Sequence, residues 1–489
     1  MVNLRLPGLF LTGKIRHSLK IVLLFLLDVA AFYAALLAAY YSRKLLQVLY
    51  PQVITLQFSL GFFVNFWWLP VIFIAFIVYD GLYFKKLPFW DETKELIKAI
   101  SASTITILAV ISLGKMGGIS RLTVVFLCFY SFFFFPLFHL IGKKVLRAVV
   151  WRDNVIIIGA GAAGLATVKG INSDAHLGYH VIGFLDDDEN IGKYVQVGDN
   201  VYDILGKISD CKIIVRQFEI STVIVAIPSL SNEKLSQLTN EIQKYTKSIL
   251  LVPDVKGVAL SNTELYYLFM EQLFLLKINN NLKSTFNRFV KRIFDLMLVI
   301  LLLPVLLPAI VFIALLIMVD SPGPPFHIQN RFGQNKTIFK CIKFRTMYLQ
   351  SDDLLNDHLQ SNPDKALEWQ KYKKLKGPDP RITRIGKFLR QTSLDELPQF
   401  FNVLKGDMSL VGSRPYLQRE EDDMNYYIDT ILLTPPGITG LWQVSGRNRL
   451  TFEDRLVLDA WYVLNWSVWL DIVILFKTFR VVLFREGAY

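Results

Sequence analysis

Apolar residues dominate four stretches in the first third of the chain: residues 20–41, 53–79, 96–113 and 122–141. Each is near the length that crosses a hydrocarbon core at ~1.5 Å per residue. Four such runs in succession predict a transmembrane bundle and not buried soluble helices. Lys14, Arg16 and Lys20 precede the first run. Lys85, Lys86, Lys94 and Lys98 gather between the second and third, and Lys143, Lys144, Arg147 and Arg152 follow the fourth. The other connections carry fewer cations, so the positive-inside rule puts both ends of the bundle in the cytoplasm. The first run lacks a small-residue cleavage pattern and reads as a retained signal anchor.

Residues 151–276 change character. Short β-branched runs alternate with helix-like segments, which is βαβ order and predicts a small parallel α/β domain. Strands are expected at 154–158, 180–185, 222–227 and 248–252. Gly159-Ala-Gly161-Ala-Ala-Gly164 follows the first strand and opens a helix. That spacing permits a tight turn and close approach to a pyrophosphate. Asp186 sits where a ribose-binding acid would stand, ~20 residues on. A nucleotide site at Gly159, Gly161 and Gly164 is one reading; an inherited scaffold with a regulatory ligand or none is the other. No Tyr-x-x-x-Lys pair follows to support dehydrogenase or epimerase chemistry.

A further apolar run, residues 296–319, is long enough to span, but Pro304 and Pro308 fall inside it. Proline removes a backbone donor and kinks or breaks a helix. Cations flank both ends, Lys291 and Arg292 before and Lys336, Lys340 and Lys343 after. This pattern favours a re-entrant helix-break-helix. Residues 461–484 mix Trp461, Tyr462, Trp466 and Trp469 with Lys477 and Arg480, as an interfacial helix would. The expected division is a bundle at 1–150, a Rossmann-like α/β domain at 151–280 and a catalytic domain at 281–489.

Composition sharpens the picture. Hydrophobic residues make up 53% of the 489, and the net charge is +12. So apolar a chain falls in the membrane class, and its positive charge suits anionic headgroups or an anionic substrate. No nucleic-acid motif is present. Cys128, Cys211 and Cys341 are scattered, so neither a disulfide nor a thiolate metal site is expected.

The densest chemistry lies near Asp395-Glu396. Arg381, Arg384, Lys387 and Arg390 precede this pair and Arg414 follows. Neighbouring cations lower a carboxylate pKa and keep it ionised. An ionised Asp can attack phosphorus, and a second carboxylate suits Mg2+. Nearby cations neutralise charge on a transferring phosphoryl group. On the dipeptide alone a helix start is the simpler reading, with Ser393 as N-cap and two first-turn acids.

The surrounding motifs alter that balance. They include Lys291-Arg-Ile-Phe-Asp295, Gln329-Asn-Arg331-Phe-Gly333 and Lys343-Phe-Arg345-Thr-Met347. Asp379-Pro-Arg381-Ile-Thr383 and Ser393-Leu-Asp395-Glu396-Leu-Pro398-Gln399 come next. Phe401-Asn-Val-Leu-Lys-Gly-Asp407-Met-Ser409-Leu-Val-Gly412, Pro436-Gly437-Ile-Thr-Gly440 and Trp442-Gln443-Val-Ser-Gly446-Arg447-Asn448 complete the series. In this order they resemble the bacterial polyprenyl-phosphate hexose-1-phosphate transferases, the large monotopic phosphoglycosyl transferases. The resemblance runs from about Lys291 to Tyr489, and the long members share the bundle and α/β domain.

The resemblance implies Asp395 as nucleophile, with Glu396 the metal-binding partner and Mg2+ the cofactor. It implies Lys343, Arg390, Arg414 and Arg447 as phosphate ligands, Asp459 as an acid near the site, and Pro308 as the re-entrant break. The donor would be a UDP-sugar and the acceptor undecaprenyl phosphate in the bacterial inner membrane. Likeness to one branch favours galactose, with glucose the runner-up. A nucleotide-sugar oxidoreductase and a non-enzymatic assembly scaffold are the competing readings. A bundle joined to an extra cytosolic domain is compatible with a homodimer. One departure stands out: Ser413 precedes Arg414 where the family commonly has proline. Its restored amide N–H predicts a looser loop.

Overall fold

The computed structural model describes residues 13–51, 66–115, 120–149, 153–254, 263–268, 273–278, 280–349, 351–362, 379–446 and 450–484. Two compact units divide the chain, Met1–Val255 and Lys256–Tyr489.

The first unit opens with four apolar helices: α1 (Gly13–Leu49), α2 (Trp68–Tyr79), α3 (Phe89–Leu113) and α4 (Arg121–Val149). They match the four apolar runs, although residues 52–65 of the second run lie outside the described residues. Leu24, Phe32, Phe73, Ile100, Ile107 and Phe135 fill their shared core. Among the described residues, Ser18–Leu49, Phe89–Leu113, Arg121–Val145 and a fourth helix in the second unit are long and apolar enough to cross a membrane. The chain is therefore a membrane protein.

One end of this bundle buries charge. The His139 ring lies 2.8 Å from Asp28 Oδ1 and 3.1 Å from Glu92 Oε1. Lys143 donates to Glu92 Oε2 at 2.7 Å, and Tyr83 donates to Asp28 Oδ2 at 2.6 Å. All five side chains are nearly inaccessible to solvent. Such groups persist in an apolar bundle only by satisfying one another.

The rest of the unit is a six-stranded sheet with helices between its strands. Its strands are β1 (Asp153–Ile158), β2 (Tyr179–Leu185), β3 (Tyr194–Val197), β4 (Asn200–Gly206), β5 (Thr222–Val225) and β6 (Ser248–Leu251), in spatial order β3-β4-β2-β1-β5-β6. All neighbours are parallel except β3 with β4. Val155–Ile158 of β1 are fully buried, as a central parallel strand covered on both faces requires. The parallel order agrees with the sequence. The β3–β4 pair was not foreseen, because its half-exposed residues give no apolar run.

The second unit is organised around α5 (Thr285–Asp320). The prolines predict a break at Pro308, yet the chain stays helical through both. Thirty-six residues correspond to ~54 Å at 1.5 Å each. Both halves of this helix pack on one body. In its first half, Val299 joins Val403, Val411, Tyr462 and Trp466. Near its end, Ile310, Ile313 and Ile317 meet Phe344 and Leu389. Between them, Leu301 and Val305 are each 72% exposed.

That body contains the antiparallel pair β7 (Phe326–Phe332) and β8 (Ile338–Phe344), then α6 (Arg384–Thr392) and α7 (Gln399–Lys405). The parallel pair β9 (Ser409–Val411) and β10 (Gly437–Thr439) follows, with α8 (Phe452–Leu464) and α9 (Val468–Phe484) at the end. The expected interfacial helix is thus two helices. Tyr462 and Trp466 are core residues: Trp466 Nε1–H donates to Asp471 Oδ2 at 3.0 Å, and Tyr462 O–H donates to Asp471 Oδ1 at 2.6 Å. The exposed apolar face is Phe476, Phe479 and Leu483.

Candidate functional site

The Asp395-Glu396 pair lies in a single 3-10 turn, Leu394–Glu396, wedged between α6 and α7. Ser393 closes α6 in a left-handed conformation (φ 55°, ψ 20°) and makes no side-chain cap bond. The helix-start reading is therefore replaced: the acids occupy a sharp turn that follows one helix and precedes another. Pro398 then begins the descent into α7.

Each acid has a distinct environment. Glu396 accepts a 2.6 Å bond from Lys343 Nζ through Oε1 and a bond from Gln399 through Oε2. The Asp395 carboxyl is pushed up to about 6, chiefly by burial and then by the Glu396 charge. Lys343 and Arg390 pull it down but do not prevail. The expectation that cations alone keep this acid low is thus corrected: desolvation and a like charge outweigh them.

Neighbouring elements hold the cations in place. Lys343 lies on β8, and Asn402 of α7 clamps that strand. Its Oδ1 accepts from Ile342 N–H at 3.1 Å and its Nδ2 donates to Lys340 O at 2.8 Å. Arg390 of α6 donates to Thr346 Oγ1 at 2.9 Å. Gly386 permits this, since a Cβ there would stand 2.1 Å from Thr346 O. Burial lowers the Arg390 pKa, while Asp395 and Asp379 favour its charge.

Arg414 follows β9. Its amide donates to Asp459 Oδ2 at 3.0 Å, and its guanidinium lies 3.3 Å from Glu420 Oε1. The preceding Ser413 is buried, and its carbonyl accepts from Gly437 N–H at 2.8 Å. The loop is therefore pinned on both sides, contrary to the looseness expected from the missing proline. Asp459, on α8, is fully buried and also accepts from Tyr416 O–H at 2.9 Å. Burial pushes its carboxyl up to about 7. It anchors the Arg414 loop and is neither a cap nor an ion-pair partner.

Arg447 lies outside the described residues. Pro308 sits exposed on α5. In the other unit, Gly159 has φ +101°, and a Cβ on Gly164 would lie 2.0 Å from Gly159 O. Both glycines serve the turn itself. Asp186 accepts from Ala160 N–H at 2.7 Å and from Asp188 N–H at 2.9 Å. Its two oxygens thus hold backbone.

The sequence reading assigned no role to Arg331, Asn402, Tyr416 or Arg455. Arg331 and Asn402 stood inside motifs; Tyr416 and Arg455 gave no signal, because their importance depends on contacts across the fold. Among the described residues no group of three or more His, Cys, Asp or Glu side chains is arranged to hold a metal. The adjacent carboxylates nevertheless fit Mg2+, which takes one or two protein oxygens and completes its shell with water and phosphate.

Comparison with known proteins agrees with this geometry. Residues 286–485 match the family described as bacterial sugar transferase, and residues 75–253 match a CoA-binding domain. The undecaprenyl-phosphate galactose phosphotransferase of Salmonella typhimurium is 39% identical, over 83% of this chain and 84% of that protein. The UDP-galactose-lipid carrier transferase of Erwinia amylovora is 37% identical, over 83% and 84%. The UDP-glucose:undecaprenyl-phosphate glucose-1-phosphate transferase of Escherichia coli K12 is 31% identical, over 71% and 74%. With identity of this level along most of its length, and with the acid pair and its cations assembled in the matched region, the chain belongs to the bacterial sugar transferases.

Proposed function

We propose that this enzyme transfers galactose-1-phosphate from UDP-galactose to undecaprenyl phosphate. The observation that carries the reading is Asp395, set in a sharp turn beside Glu396 with Lys343 and Arg390 around it. With its pKa near 6, about nine-tenths of Asp395 is ionised at pH 7. Its carboxylate oxygen attacks the phosphorus that bears the sugar. The bond from that phosphorus to the bridging oxygen breaks, and UMP leaves. A phosphate oxygen of undecaprenyl phosphate then attacks the same phosphorus, frees Asp395 and departs as the diphosphate-linked sugar. Lys343, Arg390 and Arg414 offset the charge that builds on the phosphoryl oxygens. Glu396, with Asp395, would hold Mg2+, whose chemistry is neutralisation of phosphate charge. Galactose is favoured over glucose because two galactose relatives exceed the glucose relative in identity.

The membrane arrangement follows the same logic. Both halves of α5 pack on one body while its middle is exposed, which supports a re-entrant helix with Pro304 and Pro308 at the bend. The basic flanks of the N-terminal bundle support a catalytic domain on the cytoplasmic face of the inner membrane. The sheet order β4-β2-β1-β5-β6 supports a Rossmann-like reading of the α/β domain, since it has the 3-2-1-4-5 sequence of that fold.

The test is UMP release by the purified full chain with undecaprenyl phosphate and Mg2+. Wild type is expected to release UMP from UDP-galactose faster than from UDP-glucose, and Asp395→Asn to release none. An Asp395→Asn variant of undiminished activity would overturn the nucleophile. No UMP from a panel of UDP-sugars would overturn the reaction.

A further inference from the structure

Three arginines converge on the loop after β9 with few counter-charges. Arg331 of β7 donates through Nη1 to Pro415 O at 3.0 Å, next to Arg414. Arg455 of α8 stands one turn before Asp459, on the same helix face, and Asp459 holds the Arg414 amide. The Arg455 guanidinium lies 5.0 Å from the Trp442 ring centroid and donates to Leu450 O at 3.1 Å. Among the described residues only Arg414 has a carboxylate within ion-pair reach, Glu420 at 3.3 Å. Asp459 binds the Arg414 amide and the Tyr416 hydroxyl through Oδ2 alone, its Oδ1 is buried without a partner among the described residues, and it forms no ion pair with the three arginines there.

The donors left over point the same way. Among the described residues, Arg331 Nε, Arg455 Nε, Trp442 Nε1 and Ser413 Oγ are all buried without a hydrogen-bond partner. Four orphaned donors around one loop are unusual, since native structures satisfy nearly all buried polar groups. An anion rich in acceptor oxygens would satisfy them and offset the excess charge. The arginines also sense one another: the Arg331 and Arg455 pKa values are lowered by burial first and by Arg414 next. Arg331 stands on β7 opposite Phe339 of β8, the strand whose Lys343 binds Glu396, so one two-stranded sheet links the cluster to the acid pair.

We propose that Arg331 and Arg455 complete, with Arg414, a three-guanidinium clamp for the diphosphate of the nucleotide-sugar donor. This rests on the reaction proposed above. Asp395 must reach the sugar-bearing phosphorus, and the other phosphate must lie within reach of the bordering cations. The clamp holds that second phosphate and stabilises it as it leaves on UMP. Arg331 and Arg455 are therefore substrate-binding residues and not only ties for the loop.

The experiment measures UDP affinity by calorimetry, and the KM for UDP-galactose and for undecaprenyl phosphate separately. It uses full-length protein in nanodiscs: wild type, Arg331→Gln, Arg455→Gln and the two Arg→Lys variants. Each Gln variant is expected to bind UDP at least tenfold more weakly and to raise the donor KM at least tenfold, with the acceptor KM unchanged. The Lys variants keep a point charge and should recover part of the loss. They also keep the result readable if a Gln variant fails to fold. Unchanged UDP affinity in folded variants would overturn the clamp. So would a rise confined to the acceptor KM, which would assign the arginines to the lipid phosphate. A fall in kcat alone would overturn it as well, leaving a loop-positioning role. Should wild type release no UMP from any donor, the reaction fails while the UDP-binding arm still judges the clamp.

Discussion

Lys343 donates a 2.6 Å hydrogen bond to Glu396 Oε1, and so spends its charge on the neighbour of Asp395, the proposed nucleophile. Asp395 receives the ammonium only as a field, too weak to overcome burial and the Glu396 carboxylate. This division sets the protonation of the attacking group.

A pH dependence follows. In the proposed reaction Asp395 attacks as the carboxylate, and burial and Glu396 push its pKa up to about 6. Activity should be full above that value and fall as pH drops through it. Lys343→Met deletes a cation that lowers this pKa and frees the Glu396 charge to raise it. The acid limb of the UMP-release profile should then move to higher pH by about one pH unit or more. A limb that stays in place would show that another group governs it.

Asp459 gives a stability counterpart. Unfolded, it ionises near 3.8; folded, it keeps its proton until about 7. Between those values the unfolded chain sheds a proton that the folded one retains. Stability should thus fall as pH rises from about 4 to about 7 and then level, by at most on the order of 4 kcal/mol. Asp459→Asn keeps an acceptor for Arg414 N–H and Tyr416 O–H and should flatten the slope. Asp459→Leu strands both donors, at a cost of ~1–3 kcal/mol each. Thermal midpoints of the three proteins across pH 4.5–8 decide the matter; parallel slopes in wild type and Asp459→Asn would count against the buried proton.

The bundle network is expected to be cooperative. Glu92→Leu removes the 2.7 Å partner of Lys143 and one of the two carboxylates on His139. Breaking a buried pair from one side costs ~3–5 kcal/mol, whereas replacing both partners costs far less. The double variant Glu92→Leu/Lys143→Leu should therefore melt above Glu92→Leu alone. Strictly additive losses in a thermal double-mutant cycle would show that the pair is not coupled.

How much of this was legible depended on sequence distance. Apolar length gave the four N-terminal helices, and β-branched runs gave β1, β2, β5 and β6, because those signals are local. The ordered motifs gave Asp395 and Glu396 their candidacy. What the sequence could not give was the balance of charges: Lys343 lies 53 positions from Glu396, and its choice of partner is made by β8 packing on α7. Arg455 was silent for the same reason, since an arginine over a tryptophan looks ordinary in a string of letters; Asn402 stood inside a motif, but its bridge to β8 joins residues 60 and 62 positions away. Trp466 misled in the opposite sense. Its aromatic neighbours suggested a membrane surface, but Asp471 and Lys291 draw that end into the core.

The glycine loop separates what a fold needs from what a ligand needs. A Cβ on Gly164 would press on Gly159 O at 2.0 Å and approach Phe184 at 3.3 Å. Gly164→Ala should therefore destabilise the α/β domain by ~1–3 kcal/mol, as overpacking does. A Cβ on Gly161 would meet nothing within 4 Å, and its φ of −75° suits any residue. Gly161→Ala should change stability by no more than ~1 kcal/mol. Among the described residues the fold thus gives no steric reason for glycine at 161. Thermal unfolding of the two variants tests the contrast. Equal losses would mean that Gly161 serves the turn like its neighbours; a loss at Gly164 alone would show that crowding, and not the turn as a whole, is what demands glycine there.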